Sequence, residues 1–433
     1  MSRELFEGYE AADEIVKLLT GEPEGAFTPN VEKASTLIER EVEMKLGAYF
    51  SILSPDEAVD LGGYTYADFI AIYRILLKKA LYHRYFCRAN RAVGAIFIDR
   101  NELTALLQQE AARQADICSK ILDDIVYDAR AAKNGEEALY FPLYQHGDAA
   151  GGRIVMCPHY VAPWEAIVGL FRVVASRRPN VFLQHVSGIL GAKFLTRVRE
   201  AFERQGFLCR SNIFLRRFDP ALPDIDLALV SEEPTLGYVI FLCEVKSPIP
   251  PRWAKDQLRV LNKESIAKAF EQVAAIKMFI HTDQGLEVIR GLLPPEGHPH
   301  FAEFVIVIHH LVITSDNAGM FFQDKDQTVI DFRSLERLLS RSDGDMLFIQ
   351  HVLGIYAEEI DKAVVTAMAE CDVGDKHVRY EGVVDSPILD FPQVQWRNSE
   401  ERKKMVEEFL TGGHHPLDVL GPLFDKASSK EGE

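Results

Sequence analysis

No run of about 18 consecutive apolar residues occurs in the chain, and its first stretch, MSRELFEGYEAADEIVKLLTG, is acidic and amphipathic without a basic segment leading into an apolar block. These absences predict neither a membrane span nor a signal peptide, and with them a cytoplasmic location. Cysteine is sparse and scattered: Cys87, Cys118, Cys157, Cys209, Cys243 and Cys371 include no C-x-x-C pair, which argues against a zinc ribbon or a disulfide framework and for reduced thiols. Cys157, His159 and His146 surround a glycine-rich turn but supply a single C-x-H pair, too few ligands for a structural zinc site. The glycine clusters LGGY and HGDAAGG lack the GK[ST] or GxGxxG context of a phosphate-binding loop. There is no internal repeat and no heptad run. Positive charge is also short, the formal net charge being −17, which argues against wholesale, sequence-independent adhesion to nucleic acid.

The charge is unevenly spread. Residues 191–282 hold 14 Lys and Arg against 11 Asp and Glu, a local balance of +3 that leaves −20 on the remainder. With 433 residues, 47% of them hydrophobic and 26% charged, the composition is that of a globular chain of two or three domains. Residues 1–180 carry apolar positions at three- and four-residue spacing in segments such as VEKASTLIEREVEMKLGAYFSIL and YADFIAIYRILLKKALYHRYFC, predicting a mainly helical region with a short β-hairpin near 138–158. Over 181–345 the order changes. FLQHVSGILGAKFLTRVREAFERQGF reads as helix; LCRSNIFLRRF, DIDLALV and YVIFLCEVK as strands; WAKDQLRVLNKESIAKAFEQVAAIKMFIH as a long helix; FAEFVIVIHHLVIT as a strand; and QTVIDFRSLERLLSR as strand then helix. That pattern predicts an α/β fold with a mixed sheet. Residues 346–433 read as a small C-terminal extension of one helix, MLFIQHVLGIYAEEIDKAVVTAMAE, and acidic loops carrying a further short helix, SEERKKMVEEFLTG.

Two of those strands carry charges that a buried strand should not. PDIDLALV places Asp224 and Asp226 in one of them and EVKSP places Glu244 and Lys246 in the next; ionised groups taken out of water cost several kcal/mol unless compensated. Residues two apart share a face of a strand, so Glu244 and Lys246 project together, and pairing of the strands brings an Asp toward Glu244. Carboxylates at the end of a sheet make an oxygen-only site suited to Mg²⁺ or Mn²⁺, and a lysine beside it can orient a water or stabilise charge on a phosphate.

PDIDLALV followed by EVK in an αβββαβ order resembles the PD-(D/E)xK nuclease superfamily, the restriction-endonuclease-like fold, over about residues 190–315. The resemblance implies a metal-dependent nuclease acting on DNA ahead of RNA. It makes Asp226 a metal ligand with Asp224 as its competitor, Glu244 the second ligand and Lys246 the catalytic lysine. Many members carry a Gln followed four residues later by Tyr on the helix after the third strand; here Gln272 is present and Ile276 stands at the Tyr position. Members related to junction resolvases carry a Glu early in the first helix, in a pattern like G-x-x-F-E. GAKFL has Leu195 there, with Glu200 and Glu203 one and two turns on.

Arg216 and Arg217 before the site, and Arg252 and Lys255 after it, are candidate phosphate contacts, with Trp253 available for stacking. His309 and His310 read as core or surface histidines. The acidic remainder suggests restraint or assembly: it would repel DNA until a homo-oligomer or an activating protein partner positions it, as in a restriction or anti-phage defence effector. The alternative is a catalytically inactive nuclease-fold module serving nucleic-acid binding or protein assembly.

Overall fold

The structure is a computed structural model and describes residues 14–16, 18, 27–49, 52–131, 137–147, 152–162, 165–233, 237–250, 256, 266–296, 304–316, 327–363, 365–385 and 418–419. Contacts divide the chain into two units, Met1–Lys193 and Phe194–Glu433.

In the first unit, helices α1 (Phe27–Tyr49) and α2 (Tyr66–Ala89) are followed by strand β1 (Ile96–Asp99), helices α3 (Arg100–Ala111) and α4 (Ala115–Ile125), and strands β2 (Val126–Tyr127), β3 (Leu143–His146) and β4 (Arg153–Met156); helix α5 (Glu165–Arg177) comes next. The start of α2 is fixed by Thr65, whose side chain accepts the Asp68 N–H while Asp68 returns a bond to the Thr65 N–H, a reciprocal cap. Besides the expected hairpin of β3 and β4, the unit holds a four-stranded sheet in the order β1-β4-β3-β2. The two additional strands are only four and two residues long, too short for an alternating pattern to stand out. One buried carboxylate ties the unit together. Asp124, 2% exposed, receives the guanidinium groups of Arg177 (3.3 Å) and Arg178 and the Tyr64 hydroxyl (2.5 Å).

The second unit begins within helix α6 (Gly188–Glu203) and continues through strands β5 (Leu208–Ile213), β6 (Ile225–Glu233) and β7 (Gly237–Lys246), helices α7 (Ile266–Ile280) and α8 (Asp283–Leu292), strands β8 (Val305–Thr314) and β9 (Thr328–Asp331), helices α9 (Phe332–Ser342) and α10 (Met346–Ala363), and strands β10 (Val365–Val373), β11 (Lys376–Asp385) and β12 (Asp418–Val419). The sheet is mixed, in the order β12-β8-β7-β6-β5. β5, β6 and β7 are antiparallel neighbours, β8 runs parallel to β7, and β9 runs parallel to β8.

Alternation along β7 feeds two cores. Val239, Phe241 and Cys243 pack with Phe194, Val198, Ala201 and Phe202 of α6, Leu335 and Leu338 of α9, and Met346, Ile349 and Leu353 of α10. Tyr238, Ile240 and Leu242 pack with Ile276, Phe279 and Ile280 of α7 and Val288, Ile289 and Leu292 of α8. With helices on both faces, the central strand can be apolar throughout, and Gly237 to Glu244 are all buried.

Two expectations change and one helix is added. The boundary expected at 345/346 has no counterpart, because α10 belongs to the core that covers the sheet. The helix expected through GIYAEEIDKAVVTAMAE stops at Ala363, and β10 pairs with β11 around the two-residue turn Gly374–Asp375, where Gly374 has φ +64°; a Gly-Asp turn after the β-branched run Val364–Val365–Thr366 is the hairpin signal. The long helix ends at Ile280, within one residue of the expected end, and a helix that was not expected, α8, follows from the cap Thr282, whose hydroxyl accepts the Gly285 N–H at 3.1 Å. The start of the expected long helix, residues 251–265 apart from Asp256, and the expected helix SEERKKMVEEFLTG lie outside the described residues. All six cysteines are free.

Candidate active site

The last pair in the β6–β7 ladder is Leu227 with Cys243; one step further, Asp226 stands opposite Glu244. Both follow residues packed on the α7 face, since Ala228 and Val230 of β6 and Ile240 and Leu242 of β7 lie there. Lys246, two residues on from Glu244, shares that face, and its ammonium meets Gln272 of α7. Strand pleat and helix placement thus gather Asp226, Glu244, Lys246 and Gln272.

The contacts are specific. Asp226 Oδ2 accepts the Val245 N–H at 2.8 Å, which fixes its carboxylate across the strand gap. Lys246 Nζ donates to Glu244 Oε1 and, at 2.8 Å, to Gln272 Oε1. Glu244 is 2% exposed, and its second oxygen, Oε2, is buried without a hydrogen-bond partner. A buried acceptor left unpaired costs about 1–3 kcal/mol, more when charged. Burial, and then the negative charge of Asp226, push Glu244 up to about 7 against the pull of Lys246. Burial also raises Asp226, opposed by the Val245 N–H and Lys246. Two carboxyl groups share one ammonium, so the site is short of positive charge.

An oxygen-only pair with an orphaned buried acceptor fits a hard divalent cation. Among the described residues no group of three or more His, Cys, Asp or Glu side chains could hold a metal ion. The fit is therefore to a cation such as Mg²⁺, which keeps several waters and needs one or two carboxylates. Glu200 and Glu203 do not extend the pair: both are exposed on α6, which packs on the other face of the sheet, and Glu203 pairs with Arg199 at 3.4 Å.

Asp224, expected as the competing ligand, does something else. Its Oδ1 accepts the backbone N–H groups of Leu215 (2.9 Å) and Arg216 (3.4 Å), and its Oδ2 lies 3.5 Å from Arg216 Nε. It holds the turn that leads out of β5. Arg216 and Arg217 lie in that turn and are exposed, whereas Arg210 is tied to the Gly291 carbonyl at 2.6 Å. Arg252, Lys255 and Trp253 lie outside the described residues. His309 and His310 are buried on β8, with His309 edge-on to Phe241 at 4.9 Å.

Two residues near the site had no distinctive pattern in the sequence. Asn212, which faces Asp226 across the β5–β6 ladder, has φ +56°, a left-handed conformation that Asn tolerates better than most residues. Phe214 is 66% exposed, and an apolar residue inside NIFLRRF reads as core until the turn is seen. Compared with protein-family models, curated proteins and solved structures, the chain matches none.

Proposed function

We propose that the second unit is a metal-dependent nuclease that hydrolyses phosphodiester bonds, DNA ahead of RNA, on a restriction-endonuclease-like αβββαβ core. The observation that carries this reading is the Asp226–Glu244 carboxyl pair, buried at Glu244, with Lys246, two residues on from Glu244, held beside it by Gln272. Asp226 and Glu244 would hold the cation. Bound there, Mg²⁺ or Mn²⁺ supplies Lewis-acid stabilisation of the phosphodiester and lowers the pKa of a coordinated water.

The chain's own residues supply the rest. The Val245 N–H orients Asp226, Gln272 holds the Lys246 ammonium at the carboxylates, and that ammonium is placed to donate to a water or to a phosphate oxygen. Ala269 and Val273 of α7, packed on Val312 opposite Glu244, keep that end of the sheet in a low-dielectric setting, where such charges act strongly. One observation favours the rival reading of an inactive module. Lys246 is already engaged by Glu244 and Gln272, an arrangement that a purely structural ion pair would also adopt.

The two readings separate on a panel of linear, circular, single-stranded and RNA substrates with Mg²⁺ or Mn²⁺. The nuclease reading expects metal-dependent cleavage that falls about 10²-fold or more in Lys246→Ala and Glu244→Ala proteins with wild-type circular dichroism. Cleavage unchanged in both variants, or none by the wild type on any substrate, contradicts it.

A further inference from the structure

Just before the catalytic pair in the chain, the turn out of β5 presents an aromatic ring to solvent. Ile213 and Leu215 point into the α7-side core, Leu215 fully buried, while Phe214 between them is 66% exposed. A scattered exposed Phe is ordinary on a protein surface. This one is held on a rigid frame.

Asp224 Oδ1 accepts the N–H groups on the C-terminal side of Phe214, those of Leu215 and Arg216. The Leu215 carbonyl accepts the Phe218 N–H at 2.9 Å, closing the turn. Phe218 packs against the core and carries the Arg217 guanidinium over its ring at 4.6 Å. Arg216 stays 69% exposed even while paired with Asp224. Upstream, Asn212 is left-handed, with φ +56°, while the register with β6 is the same on both sides of it. The β5–β6 ladder ends with Ile213 opposite Ile225, so Phe214 is the first residue of the turn and Ile225 is the chain neighbour of Asp226.

We infer that this turn is a base-stacking platform at the edge of the sheet: Phe214 takes the face of an unpaired base, and Arg216 and Arg217 take phosphates of the same strand, which runs on toward the Asp226–Glu244 pair. The inference rests on the nuclease reading and names its substrate as single-stranded nucleic acid or an unpaired segment. A base in a duplex has both faces covered by its neighbours and cannot lie on the ring without leaving the stack. Asp224 is a positioning residue for the platform rather than a metal ligand.

The test is binding in EDTA by the full chain, read by anisotropy of labelled single-stranded DNA, single-stranded RNA and duplex DNA, with 2-aminopurine in the single strands to report stacking. Wild type is expected to prefer the single strands and quench 2-aminopurine. Phe214→Ala is expected to weaken single-strand binding about tenfold, lose the quenching and leave duplex binding unchanged, and Phe214→Trp to restore both. The DNA and RNA arms show which strand is preferred. Equal loss on duplex and single strand, no loss in Phe214→Ala, or no binding of any nucleic acid at low salt overturns the platform. If Phe214→Ala makes no difference while wild type cleaves with Mg²⁺, only the platform fails. If single strands bind as expected but nothing is cut, the platform stands and the nuclease reading fails.

Discussion

A proton on Glu244 is the local alternative to a cation. Its unfolded value is near 4.5 and the folded value about 7, so in the metal-free protein this group contributes stability that is full below about pH 4.5 and lost as pH rises through about 7. Added Mg²⁺ should therefore raise the melting temperature more at pH 8 than at pH 5.5, because at the lower pH the cation must first displace the proton. A shift independent of pH would contradict that. Asp124 in the first unit gives the opposite kind of case, a buried charge already compensated by Arg177 and Arg178. Asp124→Ala should cost about 3–5 kcal/mol in denaturant unfolding by stranding the two arginines; a cost under 1 kcal/mol would show that they relax into water. At this scale the sequence was informative where charge broke an apolar strand, as at Asp226, Glu244 and Lys246. It was silent where a role depends on backbone partners, as at Asp224, whose carboxylate is spent on the N–H groups of Leu215 and Arg216.

Strand β7 starts at a position that tolerates no side chain. Gly237 has φ +140°, and a Cβ there would stand 2.2 Å from the Val305 carbonyl oxygen of β8. Gly237→Ala should destabilise by roughly 3 kcal/mol and separate the parallel β7–β8 pair that holds Glu244 and Lys246 opposite Val312 and Thr314. Near-wild-type stability by thermal melting would show that the β8 backbone yields easily. β6, β7 and β8 announced themselves through long apolar or alternating runs. The hairpin of β10 and β11 did not, because AEEIDKAVVTAMAE also satisfies a helical spacing and only the Gly374–Asp375 turn separates the two. The end of the long helix near His281 was legible, but the helix after it, α8, was not read, because its threonine cap is a local hydrogen bond rather than a change of pattern.

For the whole molecule, the boundary between the two units falls inside α6, at Lys193 and Phe194. A fragment starting at Val181 keeps that helix whole; one starting at Phe194 loses its first turn and a half while retaining the Phe194, Val198 and Phe202 face. The shorter fragment should melt several degrees lower, since a helix shortened at its start loses cooperative turns; identical melting would place the cooperative boundary at Phe194. The distribution of charge, +3 over residues 191–282 against −20 elsewhere, places the candidate site in a slightly basic stretch of an acidic chain. The nuclease reading depends on Asp226 and Glu244 holding a divalent cation. Calorimetric titration of Mn²⁺ into the metal-free protein at pH 8 tests this most directly: the account predicts saturable binding that is lost in Glu244→Gln and Asp226→Asn, and binding that is absent, or unchanged in both variants, would contradict it.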